Sequence, residues 1–236
     1  MEWKEYAGRL KELLGLPGEP VSVTYTNEEV EGEREKVQFC RALKEADGGK
    51  SFVIEAANSA CPGGTWHCGL MEPLSGQPKR RLQWFLTRGE KLTSSIVTFE
   101  RMQKMGTPPP TGLAERILVG SMEAATIRPD LVVFLCNATQ ACRLMALDQY
   151  WDGVHPRLEP AGALCHSVIA YPLMSGETNL SLGDITARRS QAYSDDVVFL
   201  TVPYERMANL VAAIPQCTAG TAEFVRPPDF GGEHQQ

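Results

Sequence analysis

Two short apolar runs constrain this chain most. Ile117 to Met122 and Leu131 to Cys136 lack the strict alternation of a strand with one face in water. Runs of this length and character fill buried strands, and buried strands need helices packed on their sheet. Pro129-Asp130 introduces the second run, and a helical pattern from Thr139 to Tyr150 follows it directly.

Strands and helices are mixed along the rest of the chain. Trp3, Tyr6, Leu10 and Leu13 have helical spacing, and the glycines and prolines of Gly15 to Pro20 stop that helix. Val21 to Thr26 is β-branched and aromatic and reads as a strand. Gln38 to Ala46 reads as a helix closed by Gly48-Gly49, and Ser51 to Ala56 as a strand. Cys61-Pro62-Gly63-Gly64 is expected to be a loop. Lys79 to Met105 predicts one or two helices, and the break at Gly106 to Pro110 reads as a surface loop rather than a domain boundary. A helix at Ala163 to Leu173, an extended piece at Asn179 to Leu182, a strand at Val197 to Val202 and a helix at Tyr204 to Ala213 complete the pattern. The expectation is one α/β domain over residues 1–225 with helices packed on a mixed sheet, α+β being the alternative description. A loose tail is expected over 226–236.

With 23 basic and 29 acidic residues the net charge is −6, so the expectation is no nucleic-acid and no membrane partner. No apolar run reaches membrane-spanning length and the start lacks signal-peptide order, which points to the cytoplasm. Seven scattered cysteines do not make a disulfide framework and direct attention to thiol or metal chemistry.

If the helix from Gln38 turns at the glycines and returns as the strand from Ser51, Cys40 and Cys61 lie at the same edge. Cys40 falls in the first helical turn, where free amides favour a thiolate. Gly63 and Gly64 free the backbone after Cys61 to wrap closely and aim amides at an anion or at sulfur. Cys165 also falls near a helix start. Cys136, Cys142 and Cys217 read as small hydrophobes.

Val21 to Thr26 after Pro20, Phe39-Cys40, Ser59 to Gly64, Arg128-Pro129-Asp130, Asn137 with Gln140-Ala141, Cys165 and Asn179 to Gly183 occur in an order that resembles the family called domain of unknown function 169. The resemblance covers about residues 15 to 210. It implies a joint site of Cys40, Cys61 and Cys165, with no activity attached. Two features depart from the family pattern: Cys68 stands where an apolar residue is expected, and Cys136-Asn137-Ala138 replaces Gly-Asn-Pro.

Three thiolates suit a 4Fe–4S cluster with one iron left open, and Cys68 as a fourth would close it for electron transfer. Zinc is the alternative, held by Cys40, Cys61, Cys165 and either Cys68 or His166, although the tight pair spacing of a zinc knuckle is absent. The leading expectation is therefore an iron–sulfur or other metal protein with a redox or Lewis-acid role. Its partners would be a small-molecule substrate or a redox protein; a homo-oligomer and enzymatic activity both stay open. One rival is a metal-free module that binds a small anionic metabolite through Asn137, Gln140 and Arg188. Another is a thiol enzyme with Cys61 as nucleophile and His67 or His166 as base. No phosphate-binding glycine motif supports a nucleotide cofactor.

Overall fold

The computed structural model describes residues 2–104 and 106–221. The tail expected from Arg226 lies outside the described residues. Six strands form one sheet: β1 (Val21–Thr26), β2 (Ser51–Glu55), β3 (Arg116–Ser121), β4 (Leu131–Cys136), β5 (Asn179–Ser181) and β6 (Val198–Pro203). Their order is β2-β3-β1-β4-β6-β5 and every pair is antiparallel. Helices pack on the sheet as the sequence predicts, but the sheet is not mixed, so α+β is the closer description. Strand direction depends on how the connections run, which the apolar pattern does not encode.

The pairing divides the sheet unevenly. β1 and β3 match along Val21 to Thr26, and β4 and β6 along Leu131 to Cys136, whereas β1 meets β4 only from Val21 to Val23. A short central seam thus joins two three-stranded halves. The strands of one half come from residues 21–121 and those of the other from 131–203.

β4 explains its apolar run. Leu131, Val133 and Leu135 enter one core, with α2 (Phe39–Asp47) and the helix around Val168 and Ile169. Val132, Phe134 and Cys136 enter the other, with α1 (Glu2–Leu14), α6 (Ala138–Asp148) and α9 (Tyr204–Ala213). Both faces are dry, so both residue sets are apolar.

The sequence segment read as a loop at Cys61 is instead the start of α3 (Pro62–His67). Two glycines lower its helix propensity, but Pro62 stands at the first helical position, where its missing N–H costs nothing. Cys61 caps the turn by accepting the Gly64 N–H on sulfur at 3.4 Å.

At the end of α2, Asp47 places a carboxylate against the negative pole of its own helix. Burial, together with the Glu19 carboxylate, pushes it up to about 6 from 3.8. The folded chain therefore holds a proton that the unfolded chain has lost, and stability falls as pH rises through this window. Asp47→Asn is expected to gain on the order of 1 kcal/mol at neutral pH, after allowance for solvent screening of a half-buried group, and nothing below the unfolded value. Urea midpoints at the two pH values measure this; equal midpoints for both proteins at neutral pH would refute it.

Candidate functional site

Cys40 lies in the first turn of α2, after Gln38 as N-cap, and its thiol faces Gln38 Oε1 at 3.7 Å. Tyr193 fixes this turn by donating its hydroxyl to the Cys40 carbonyl at 2.5 Å. Cys61 stands between β2 and α3, so the helix start and the strand exit share one edge as the sequence predicts. Cys165 comes from elsewhere: it opens a π-helical stretch (Cys165–Ala170) that runs into α7 (Tyr171–Ser175). Wide turns of this kind occur often at functional positions.

Gly64 shows how close these parts are. A Cβ there would lie 3.0 Å from Cys165 Sγ and 3.7 Å from Cys61 Cβ, so a bare α-carbon lets the two cysteines meet over α3. Cys40 feels the charge of both Cys165 and Cys61, and Cys61 that of Cys165. Cys61 and Cys165 therefore meet over α3, and Cys40 lies within electrostatic reach of both. All three are partly exposed, whereas Cys68 is wholly buried. Cys68 sits behind the rim, where it reaches Cys165 and the hydroxyl of Tyr25.

Each rim thiol is held neutral. Burial first, then Cys165 and Cys61, push Cys40 up to about 12. Burial and Cys165 raise Cys61, while the Gly64 and Gly63 amides act in the opposite direction by donating to its sulfur. Hydrogen bonding to Cys68 and burial raise Cys165. The Asp184 carboxylate adds to the effect on all three. Its main work is structural: Oδ2 accepts from Leu164 N at 2.8 Å and Oδ1 from Ala187 N at 2.7 Å, which ties the Cys165 helix to α8 (Ile185–Ser190). Sequence reading missed α8 and Asp184; Asp followed by a helix-forming Ile-Thr-Ala-Arg-Arg stretch is the cap signal that could have found them.

The histidines stand beside the cysteines without serving Cys61. His67 stacks on Trp66 at 4.6 Å and its ring lies 5.7 Å from that of His166. His166 Nε2 pairs with Glu159 at 3.0 Å, and Gly106 lies flat against its ring, where a Cβ would come within 2.8 Å. Among the described residues no imidazole is hydrogen-bonded to Cys61. Nor do any three His, Cys, Asp or Glu side chains stand close enough to hold a single metal ion.

The residues expected to bind an anion do not come together. Asn137 caps α6 in a reciprocal box with Gln140, both bonds at 2.9 Å, and Gln140 Nε2 also donates to Leu14 O at 3.0 Å. Arg188 points its guanidinium at four backbone carbonyls, those of Leu182, Ser194, Asp195 and Val197. It closes the connection between β5 and β6, and α8 packs in the core opposite to that of α6. Cys136 is buried in that second core, pushed up to about 12 by desolvation, Cys217 packs at its margin and Cys142 is exposed.

Comparison with curated proteins and with solved structures gave no match. The family model of domain of unknown function 169, described as "Uncharacterised ArCR", matches residues 9–213. That span holds the whole sheet and all three rim cysteines, and the chain belongs to this family.

Proposed function

We propose that the chain is an iron–sulfur protein whose 4Fe–4S cluster is held by Cys40, Cys61 and Cys165. The observation that carries this reading is the convergence of three thiols from three separate elements, with no cation or base hydrogen-bonded to any of them among the described residues. Bare thiols in this setting are protonated and poor nucleophiles, which weighs against the thiol-enzyme reading. A polynuclear cluster accommodates three thiolates over a wider triangle than a single zinc ion does, and the tight pair spacing of a zinc knuckle is absent from the sequence. Such a cluster supplies electron transfer or, at an iron without a protein thiolate, a Lewis acid for a small-molecule substrate.

The chain's own residues suit that role. The Gly63 and Gly64 amides donate to the Cys61 sulfur and stabilise negative charge there, a contact that tunes cluster thiolates. Asp184 and Tyr193 set the two helix starts that present Cys165 and Cys40. Cys68, buried behind Cys165, is a packing neighbour rather than a fourth ligand. Seven free thiols suit a reducing compartment such as the cytoplasm.

Protein purified without oxygen is expected to be brown and to contain iron and acid-labile sulfide. Cys61→Ser and Cys165→Ser should lose both, because an alcohol replaces a soft thiolate poorly. Gly64→Ala should impair loading, since its methyl group would crowd Cys165. Cys68→Ser, Cys142→Ser and Cys217→Ser should stay brown. Colourless, iron-free protein after cluster reconstitution would overturn the proposal, and stoichiometric zinc in the same analysis would assign the site to zinc.

A further inference from the structure

The stretch from Gly76 to Lys104 leaves the body of the protein after α3 and returns to it beside His166. Its neck is closed by Gly112 N donating to Gly69 O at 3.1 Å and by the Thr111 hydroxyl donating to Met71 O at 3.3 Å. Between these points lie α4 (Gly76–Trp84), a π-helical turn (Phe85–Gly89) and α5 (Ile96–Gln103).

The charge of this arm runs against that of the protein. Residues 76–104 hold seven basic and two acidic side chains, +5 in a chain of −6, so the remainder carries −11. Both acids are occupied: Glu100 pairs with Lys79 at 3.0 Å and Glu90 with Arg189 at 3.2 Å. Arg80, Arg81, Arg88, Lys91, Arg101 and Lys104 are exposed and make no ion pair among the described residues. Large apolar side chains are exposed between them: Trp84 is 63% accessible, Ile96 58% and Val97 78%, with Leu92 and Met102 alongside. Arg80, Trp84 and Arg88 follow at helical spacing, as do Val97 and Arg101.

We propose that this arm seats the protein on an anionic membrane surface. Arg and Lys would meet lipid phosphates while Trp84, Ile96 and Val97 enter the boundary below the headgroups. The interleaving favours lipid over the other polyanions. A protein interface gathers apolar residues into a centre depleted of charge, which this surface lacks. Nucleic acid would use the cations and Trp84 but has no use for exposed Ile96 and Val97. The −11 remainder is repelled by the same surface, so the arm faces the bilayer and the rest faces away. No helix among the described residues is long and apolar enough to cross a membrane, so the contact is peripheral. The negative net charge that argues against a membrane partner averages over this asymmetry.

Cosedimentation of the full chain with phosphatidylcholine vesicles, with and without phosphatidylglycerol, tests the proposal. Binding should require the anionic lipid and fall with added salt. The double change Arg80→Gln and Arg81→Gln should weaken it roughly tenfold or more, and Arg80→Lys with Arg81→Lys should not. Trp84→Ala with Val97→Ser should also weaken it about tenfold, with circular dichroism unchanged. Absence of binding, equal binding to neutral vesicles, or wild-type binding by either weakened variant would overturn it. So would a DNA duplex or polyglutamate that binds as tightly and is indifferent to the apolar changes, the first indicating nucleic acid and the second an acidic protein.

Discussion

Replacing Asn179 by leucine is expected to remove about 4 kcal/mol of stability, although the two side chains branch at the same carbon and have the same number of heavy atoms. Asn179 has no solvent exposure. Its amide donates to Ser167 O at 2.6 Å and to Glu159 O at 3.1 Å, and its oxygen accepts from Glu159 N at 2.8 Å. Leucine would leave all three backbone groups without a partner, and each such loss costs about 1–3 kcal/mol when buried. The Glu159 pair lies nearer the surface and would regain water in part, which keeps the total toward the lower end. Ser167 belongs to the π-helical stretch that Cys165 opens, so the same substitution should loosen the hold on that cysteine. Urea denaturation measures the first effect and thiol accessibility the second. A loss under about 1 kcal/mol would show that the strand does not anchor the Cys165 helix.

Acid is expected to destabilise the protein through His67. Burial, and then the charge of His166, push this imidazole down to about 4 from 6.5. Between these values the unfolded chain binds a proton that the folded chain excludes, so stability falls as pH drops through the window and is fully present above it. The full effect is on the order of 3 to 4 kcal/mol, since each unit of displacement is worth about 1.4 kcal/mol. His67 Nδ1 has no hydrogen-bond partner, so an aromatic hydrocarbon can replace the ring without orphaning a neighbour and can still stack on Trp66. His67→Phe should therefore flatten the profile at little cost at neutral pH. Urea midpoints of the iron-free protein at neutral and mildly acid pH decide this. A variant that keeps the wild-type slope would place the acid sensitivity elsewhere.

Local chemistry made some of this structure legible and hid the rest. Val21 to Thr26 is found with the expected bounds because Pro20 and Asn27 flank a continuous β-branched and aromatic run. The meeting of Cys40, Cys61 and Cys165 was legible because a helix, a glycine turn and a strand return the chain to its starting edge, and because the family resemblance pointed to the same three residues. The α3 helix was hidden behind two glycines, and its signal, Pro62 after a capping sulfur, uses a residue type not ordinarily read as a cap. Antiparallel pairing was not legible, because β1 finds β3 and β4 far along the chain and no residue in β1 specifies them. Arg188 looked like an anion clamp in sequence. In the fold its guanidinium is already spent on backbone carbonyls that only a specific loop path could bring together.

The central seam has a consequence for the order in which the molecule can be made. The first half of the sheet, β1 to β3, has all its strands before residue 122, and with them come Cys40 and Cys61. Cys165 belongs to the second half and leaves the ribosome only after more than forty further residues. Domains assemble from the N-terminus as they are synthesised, so two of the thiols wait at the edge of an unfinished sheet for the third. The seam then has to close, with Val21 to Val23 pairing onto Leu131 to Val133, before the triangle exists. Completion of the triangle is thereby reserved for a chain made at least as far as Cys165, and a truncated product that ends before it lacks the third thiol.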